Sequence, residues 1–160
     1  MNNTTTDCIM SREVITIKND DFIIDAYRIM KEKDIRHLPV VDANQKIVGM
    51  LSDRDVQKAM VTRKLDEYYS ETKIPAESTV ASFMNWPVYS INIKTSIKAV
   101  AEIMIREKIS SLVVEDEHGK VCGIVTTTDM LAHIMQSLEK NENNDHWTQW
   151  TLAAYLKNNK

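Results

Sequence analysis

Two short segments carry the side chains best suited to chemistry. Gly49-Met50-Leu51-Ser52-Asp53-Arg54-Asp55 and Gly123-Ile124-Val125-Thr126-Thr127-Thr128-Asp129 each read glycine, two apolar residues, a hydroxyl residue and, three positions on, an aspartate. That spacing admits two readings. Ser or Thr followed three residues later by an acidic residue resembles a capping box at a helix start. The same arrangement can hold a ligand. A strand running into a helix leaves backbone N–H groups unpaired, and the helix dipole adds partial positive charge there. A phosphate suits such a place, and the Ser52 or Thr126 hydroxyl can join its donors. The Asp55 or Asp129 carboxylate can then accept both vicinal hydroxyls of a ribose. Arg54 can add a charge-assisted contact to phosphate, with Asp53 partly opposing it.

The two segments belong to a longer repeat. Cys8–Met60 slides without a gap onto Ser82–Ile134 at an offset of 74, with thirteen identities in 53 positions. Most are apolar, including Met10/Met84, Val14/Val88, Ile17/Ile91, Leu38/Leu112 and Val40/Val114, as two halves with like cores require. Two of the three glycines, Gly49 and Gly123, fall in register. Like halves in a small protein pack about a pseudo-twofold axis, which creates paired clefts built from both halves.

Each half must position its motif with the same elements. Val14–Ile17 and Val88–Ile91 read as short strands. Helices follow over about residues 22–33, with Ile23, Ala26, Tyr27, Ile29 and Met30 facing inward, and 97–108, with Ile97, Val100, Ala101, Ile103 and Met104. Asp20 and Asp21, or Thr95 and Ser96, are suited to cap them. Strands at Leu38–Val41 and Leu112–Val114 lead into turns at Asp42–Gln45 and Asp116–Gly119. Gly119 is available for positive φ, a role Asn44 can take in the first turn. Third strands, Ile47–Leu51 and Val121–Val125, precede helices that start at Ser52 and Thr126. Short helical turns at Thr6–Met10 and Val80–Met84 open the halves. The fold class is therefore α/β (α+β): strand, helix, strand, strand, helix, twice. The organisation is a first repeat over 6–60, a polar linker over 61–79, a second repeat over 80–137 and a tail over 138–160. The linker holds Pro75, Tyr68 and Tyr69; the tail reads as helical over His146–Lys157, with Trp147, Trp150 and Ala154 on one side. Tryptophans are seldom left in water, so the tail is expected to dock on the module or on a second subunit; a membrane-surface role is the runner-up, disfavoured by the little positive charge this segment carries before Lys157.

Composition narrows the function. An apolar fraction of 43% and a charged fraction of 27% fit a globular protein that folds in water. Neither half, at roughly 55 residues, buries enough surface to be comfortable alone. The net charge of −3 gives no long-range attraction for nucleic acid or anionic membrane. No apolar run approaches the length of a membrane span. Met1–Met10 has neither the basic nor the apolar region of a secretory signal. Cys8 and Cys122 are not at equivalent positions and have no CxxC neighbour, so reduced thiols and a cytoplasmic location are expected. No group of His, Cys, Asp and Glu has metal-ligand spacing. GxSxG, HExxH and the P-loop are absent, and no nucleophile, base and electrophile can be named together, so the chain does not read as an enzyme. The methionines at 10, 30, 104 and 130 sit on apolar faces and read as core. His37 can be a partly exposed strand-end residue or part of a site.

The repeat order, the phrase Ile35-Arg36-His37-Leu38-Pro39-Val40-Val41-Asp42 and the ending Gly49-Met50-Leu51-Ser52-Asp53-Arg54-Asp55 resemble the cystathionine-β-synthase (CBS) domain. The pair resembles a tandem CBS, or Bateman, module over roughly residues 6–137. The second repeat departs from the family pattern where Val113 replaces the usual proline and Thr127-Thr128 replaces Asp-Arg. The resemblance implies a regulatory pair that needs no cofactor and binds an adenine nucleotide or related ligand: AMP, ADP, ATP, S-adenosylmethionine or cyclic di-adenylate. It implies that one cleft joins Thr126 and Asp129 to Val14, Thr16, Ile35, Arg36 and His37. The other joins Ser52, Arg54 and Asp55 to Val88, Ser90, Ile109, Ser110 and Ser111. The two helical faces of so small a module leave apolar surface to cover, which points to a closed twofold homodimer; the resemblance adds that such modules often pair into a flat disc and act on a regulated protein partner. The alternative is a ligand-free module for protein–protein interaction or oligomerisation.

Overall fold

The computed structural model describes residues 4–64 and 70–141. The first repeat runs β1 (Ile17–Lys18), α1 (Ile23–Glu32), β2 (His37–Val41), β3 (Ile47–Ser52) and α2 (Asp53–Lys58). A hairpin of β4 (Val61–Lys64) and β5 (Ser70–Lys73) follows. The second repeat runs β6 (Ser90–Asn92), α3 (Ile97–Glu107), β7 (Ser111–Glu115), β8 (Val121–Thr126) and α4 (Thr127–Asn141). Each repeat forms a three-stranded sheet, ordered β1-β2-β3 or β6-β7-β8. The first two strands of each sheet are parallel and the last two antiparallel. Even the ladder irregularities correspond, at Val40/Val41 and Val114/Glu115.

The helices bury the faces that their periodicity marks. Ile23, Ala26 and Met30 are buried on α1, and Val100 and Met104 on α3. The other predicted inner-face residues pack half-buried against them. Met10, Met30, Met104 and Met130 are all buried. Leu38, Val40 and Leu51 close the first core, and Leu112, Val114 and Val125 the second, all fully buried.

Several local details differ from the sequence reading. β1 and β6 are shorter than expected, because only Ile17–Lys18 and Ser90–Asn92 pair with the neighbouring strand. Asp20 and Asp21 do not cap α1. Phe22 is its N-cap residue, without a side-chain bond, and Asp21 Oδ2 instead accepts from the Lys18 N–H at 3.0 Å. Ser96 does cap α3, accepting from the Ala99 N–H at 3.3 Å. Gly119 takes φ +75°, but in the first repeat Gln45 takes φ +62°, not Asn44. Gln45 lies 74 positions before Gly119. The shared turn geometry outweighs the greater tolerance of Asn for that region. The stretch read as a linker contains the β4–β5 hairpin, with Val61 opposite Lys73 and Lys64 opposite Ser70. Tyr68, Tyr69 and the helix expected over His146–Lys157 lie outside the described residues.

The halves exchange their leading segments. The backbone of the 3-10 turn Thr6–Cys8 is held by the second repeat, with the Asp7 N–H donating to the Ile93 carbonyl at 3.3 Å. Thr6 is fully buried against the second repeat, its N–H and Oγ1 both donating to the Thr95 carbonyl at 2.9 and 2.8 Å. At the matching position, the Val80 N–H donates to the Asp21 carbonyl at 2.9 Å. Val80 itself is fully buried in the first repeat's core. The bridge between Ser11 and Ile124 is mirrored, at the same offset, by one between Asn85 and Met50. These reciprocal contacts are what a pseudo-twofold arrangement demands. They also explain the paired glycines. A Cβ on Gly123 would lie 2.6 Å from Met10 Sδ, and one on Gly49 would run into Met84.

Candidate ligand-binding clefts

Each Ser/Thr-x-x-Asp motif sits where a third strand turns into a helix, and both form the capping box their spacing suggests. Asp55 Oδ2 accepts from the Ser52 N–H at 3.0 Å and from Ser52 Oγ at 2.6 Å, while the Asp55 N–H donates back to Ser52 Oγ. Asp129 Oδ2 does the same with Thr126 N–H and Oγ1, both at 2.7 Å. The capping role and a binding role are compatible, because capping uses only one carboxylate oxygen. The backbone donors expected for phosphate are taken, however. The Asp53, Arg54 and Asp55 N–H groups bind the Arg36 carbonyl, Asp53 Oδ1 and Ser52 Oγ. The Thr127 and Asp129 N–H groups bind the Ser110 carbonyl and Thr126 Oγ1. Contacts to a phosphate at α2 must therefore come from side chains.

Two clefts lie between the repeats. One, of about 510 Å³, brings Thr126 and Asp129 together with Val14, Ile35, Arg36 and His37. The other, of about 490 Å³, brings Ser52, Arg54 and Asp55 together with Val88, Ile109, Ser110 and Ser111. Both sizes suit a small-molecule ligand. Thr16 and Ser90 are absent from the two linings. Ser90 spends its place in the ladder opposite Val113. Apolar surface comes from Ile15, Pro39 and Ile124 in the first cleft and from Met50, Pro87 and Trp86 in the second.

The carboxylates at the two clefts differ. Asp55 is 2% exposed. Its Oδ2 also accepts from Asn85 Nδ2 at 2.8 Å, and its Oδ1 meets Lys58 Nζ at 2.8 Å. Burial works to raise this carboxyl, but the bonds from Lys58, Ser52 and Asn85 outweigh it and hold it below the ordinary range. The counterparts of Asn85 and Lys58 are Ser11 and Ala132. Among the described residues, Asp129 therefore has no such partners on its second oxygen. Arg36 Nη2 donates to Thr128 Oγ1 at 2.7 Å, so a guanidinium reaches this cleft from the opposite repeat.

His37 opens β2, is half-buried, and lines both clefts. Its Nε2 lies 2.9 Å from Ser110 Oγ. Burial is the largest influence on it and holds it below its ordinary value, with Asp53 pulling the other way. Sequence reasoning missed Asn85, Lys58, Lys108 and Trp86. Lys58, three positions after Asp55 on one helix face, was the most readable of these. Among the described residues no group of His, Cys, Asp and Glu could hold a metal ion, and no helix is long and apolar enough to cross a membrane.

The profile of the CBS domain matches residues 7–62 and 80–136. The chain belongs to the CBS domain family. The crystal structure of the CBS domain pair of protein MJ0100, in complex with 5′-methylthioadenosine and S-adenosyl-L-methionine, superposes with a TM-score of 0.69. It shares 28% identity and covers 84% of this chain and 98% of its own. An uncharacterised protein of Methanocaldococcus jannaschii is 25% identical over 77% of this chain and 86% of its own length. The L-aspartate semialdehyde sulfurtransferase of the same organism is 30% identical over 76% of this chain, which spans only 21% of that enzyme's length. This CBS pair thus resembles both a free-standing protein and a segment of a larger enzyme.

Proposed function

We propose that this CBS pair is a regulatory module that binds an adenosine-containing ligand, such as AMP, ADP, ATP or S-adenosylmethionine, between its repeats. The observation that carries the reading is the pairing of each motif with the opposite repeat. Asp129 faces Ile35, Arg36 and His37, while Asp55 faces Ile109, Ser110 and Ser111. In each cleft the carboxylate oxygen not bound to the capping hydroxyl receives the ribose diol, and the apolar walls enclose the adenine. The ligands of the MJ0100 pair, both adenosines, support this class. A ligand that touches both repeats alters their relative packing, and a partner or the protein's own assembly reads that change. Regulation in the cytoplasm is consistent with the free thiols of Cys8 and Cys122.

The test is thermal unfolding against a panel of adenosine compounds. A ligand at 100 times its dissociation constant adds about 2.7 kcal/mol, a rise of about 5–10 °C for a chain of this size. A panel that leaves the transition unmoved contradicts the reading.

A second reading, action through assembly, is favoured by one surface. Leu131, Ile134, Met135 and Leu138 form an i, i+3, i+4, i+7 stripe on α4, and each is at least 49% exposed. Ile105 of α3 is 78% exposed. The positions 74 earlier than Ile105, Leu131 and Leu138 are Lys31, Gln57 and Lys64, and those of Ile134 and Met135, Met60 and Val61, lie beyond the end of α2, so among the described residues the first repeat has no matching helical stripe. A twofold homodimer joining second repeat to second repeat covers it.

A further inference from the structure

The two clefts share a backbone plan but not a charge. The cleft with Asp55 is lined by Arg54, Lys58 and Lys108, three cations against a single carboxylate. The cleft with Asp129 is lined by Lys33 and Arg36, two cations against Glu13, Asp34 and Asp129. His37 lines both clefts and so does not distinguish them.

The sharpest contrast is at one pair of positions. Asp34 and Lys108 stand 74 residues apart. Both follow the first helix of their repeat in the left-handed conformation, at φ +50° and +56°. Beside each, the next N–H closes the helix in the same way, Ile35 on the Met30 carbonyl at 3.0 Å and Ile109 on Met104 at 3.1 Å. One backbone place therefore presents a carboxylate to one cleft and an ammonium to the other. Lys58 adds to the difference. Its side chain is 68% exposed, so it can leave Asp55 Oδ1 for an incoming phosphate and free that oxygen for ribose.

We propose that the clefts divide adenosine ligands by the charge on the 5′ substituent. The Asp55 cleft takes a phosphorylated adenosine. The Asp129 cleft takes one whose 5′ group carries no net negative charge, such as a thioether or a sulfonium. Opposite charge in the cleft lining attracts phosphate, and like charge repels it, most strongly where water is partly excluded. This proposal rests on the nucleotide-binding reading above.

Calorimetric titration of AMP and 5′-methylthioadenosine tests it. The two share adenosine and differ in charge at the 5′ end. Asp55→Asn and Asp129→Asn each disable one cleft while keeping an oxygen for the capping bonds. The expected result is that Asp55→Asn loses AMP and keeps 5′-methylthioadenosine, and that Asp129→Asn does the reverse. Lys108→Asp, at an exposed position, should weaken AMP by about tenfold and leave the thioether unchanged. AMP binding should also weaken with added salt more than thioether binding does. Both ligands entering both clefts with equal affinity, or Lys108→Asp leaving AMP unaffected, overturns the division but not nucleotide binding. No binding of either compound, or of any other adenosine tested, overturns both.

Discussion

Asn85 donates its side-chain amide to Asp55 Oδ2 at 2.8 Å, joining the leading segment of the second repeat to the motif of the first. Among the described residues the contact has no counterpart at Asp129, where Ser11 occupies the matching position. Two motifs with the same spacing therefore differ in what holds them. Asp55 is a buried structural anchor as well as a cleft residue, and Asp129 is a cap with an oxygen to spare.

Alanine at the two aspartates is thus a stability experiment before it is a binding experiment. Each substitution loses the N3 half of a capping box, two bonds accepted from Ser52 or from Thr126, at a cost of about 1–2 kcal/mol. Asp55→Ala also strands Asn85 and Lys58, so it should cost more than Asp129→Ala. Urea unfolding of both variants without ligand checks the order; equal losses would contradict the asymmetry. Asn at either position keeps the cap and is the proper variant for binding.

Gly49 and Gly123 are required by close approach rather than by backbone freedom. A Cβ on Gly123 would meet Met10 Sδ at 2.6 Å and the Ser11 carbonyl at 3.1 Å. Gly123→Ala should therefore destabilise by about 1–3 kcal/mol. Met10→Ala in the same chain should recover part of that loss, which a double-mutant cycle on thermal unfolding measures. Strict additivity would mean that the two residues do not meet.

The half-buried His37 makes stability depend on pH. Its folded-state value lies below the ordinary 6.5. Between the two values the unfolded chain binds a proton that the folded chain refuses, so stability rises with pH through that window. Lowering the pH from 7.5 toward 5 should weaken the fold, and His37→Gln should flatten that slope. The Asp55 carboxyl is lowered, so its contribution is present above its unfolded value of about 3.8 and is lost only at more acid pH as the folded group protonates. A slope unchanged by His37→Gln would place its origin elsewhere.

The apolar stripe on α4 predicts the assembly state. Leu131→Glu with Met135→Glu should convert a dimer to a monomer in sedimentation while leaving the far-ultraviolet spectrum unchanged. A parent that is monomeric at high concentration would remove the proposed interface.

The repeat made much of this architecture legible. Leu38, Val40 and Leu51 sit in short apolar runs bounded by polar turns, as buried strands do, and the 74-residue register carries the assignment to Leu112, Val114 and Val125. The motif residues Ser52, Asp55, Thr126 and Asp129 were readable because capping and ligand binding ask for the same spacing. What local pattern could not convey was the exchange of leading segments. Thr6 and Val80 look like openers of their own repeats, and only tertiary packing decides which core they enter. The turn at Gln45 was misread because propensity favours Asn44, whereas register with Gly119 sets the geometry. Lys108 follows no periodicity and is placed in its cleft only by tertiary packing, whereas the i, i+3 spacing of Lys58 from Asp55 is visible in the sequence; together they set the difference between the clefts.

The most direct measurement titrates AMP and 5′-methylthioadenosine against the parent and the double variant Asp55→Asn/Asp129→Asn, following thermal unfolding. Without ligand the double variant should unfold below the parent, because Asn at position 55 loses the ion pair with Lys58, so each chain is read against its own ligand-free transition. The parent should rise by about 5–10 °C at saturating ligand, and the double variant should not move. A double variant that still rises with the parent would put the ligand outside these clefts, and a parent that never rises would contradict the nucleotide-binding account itself.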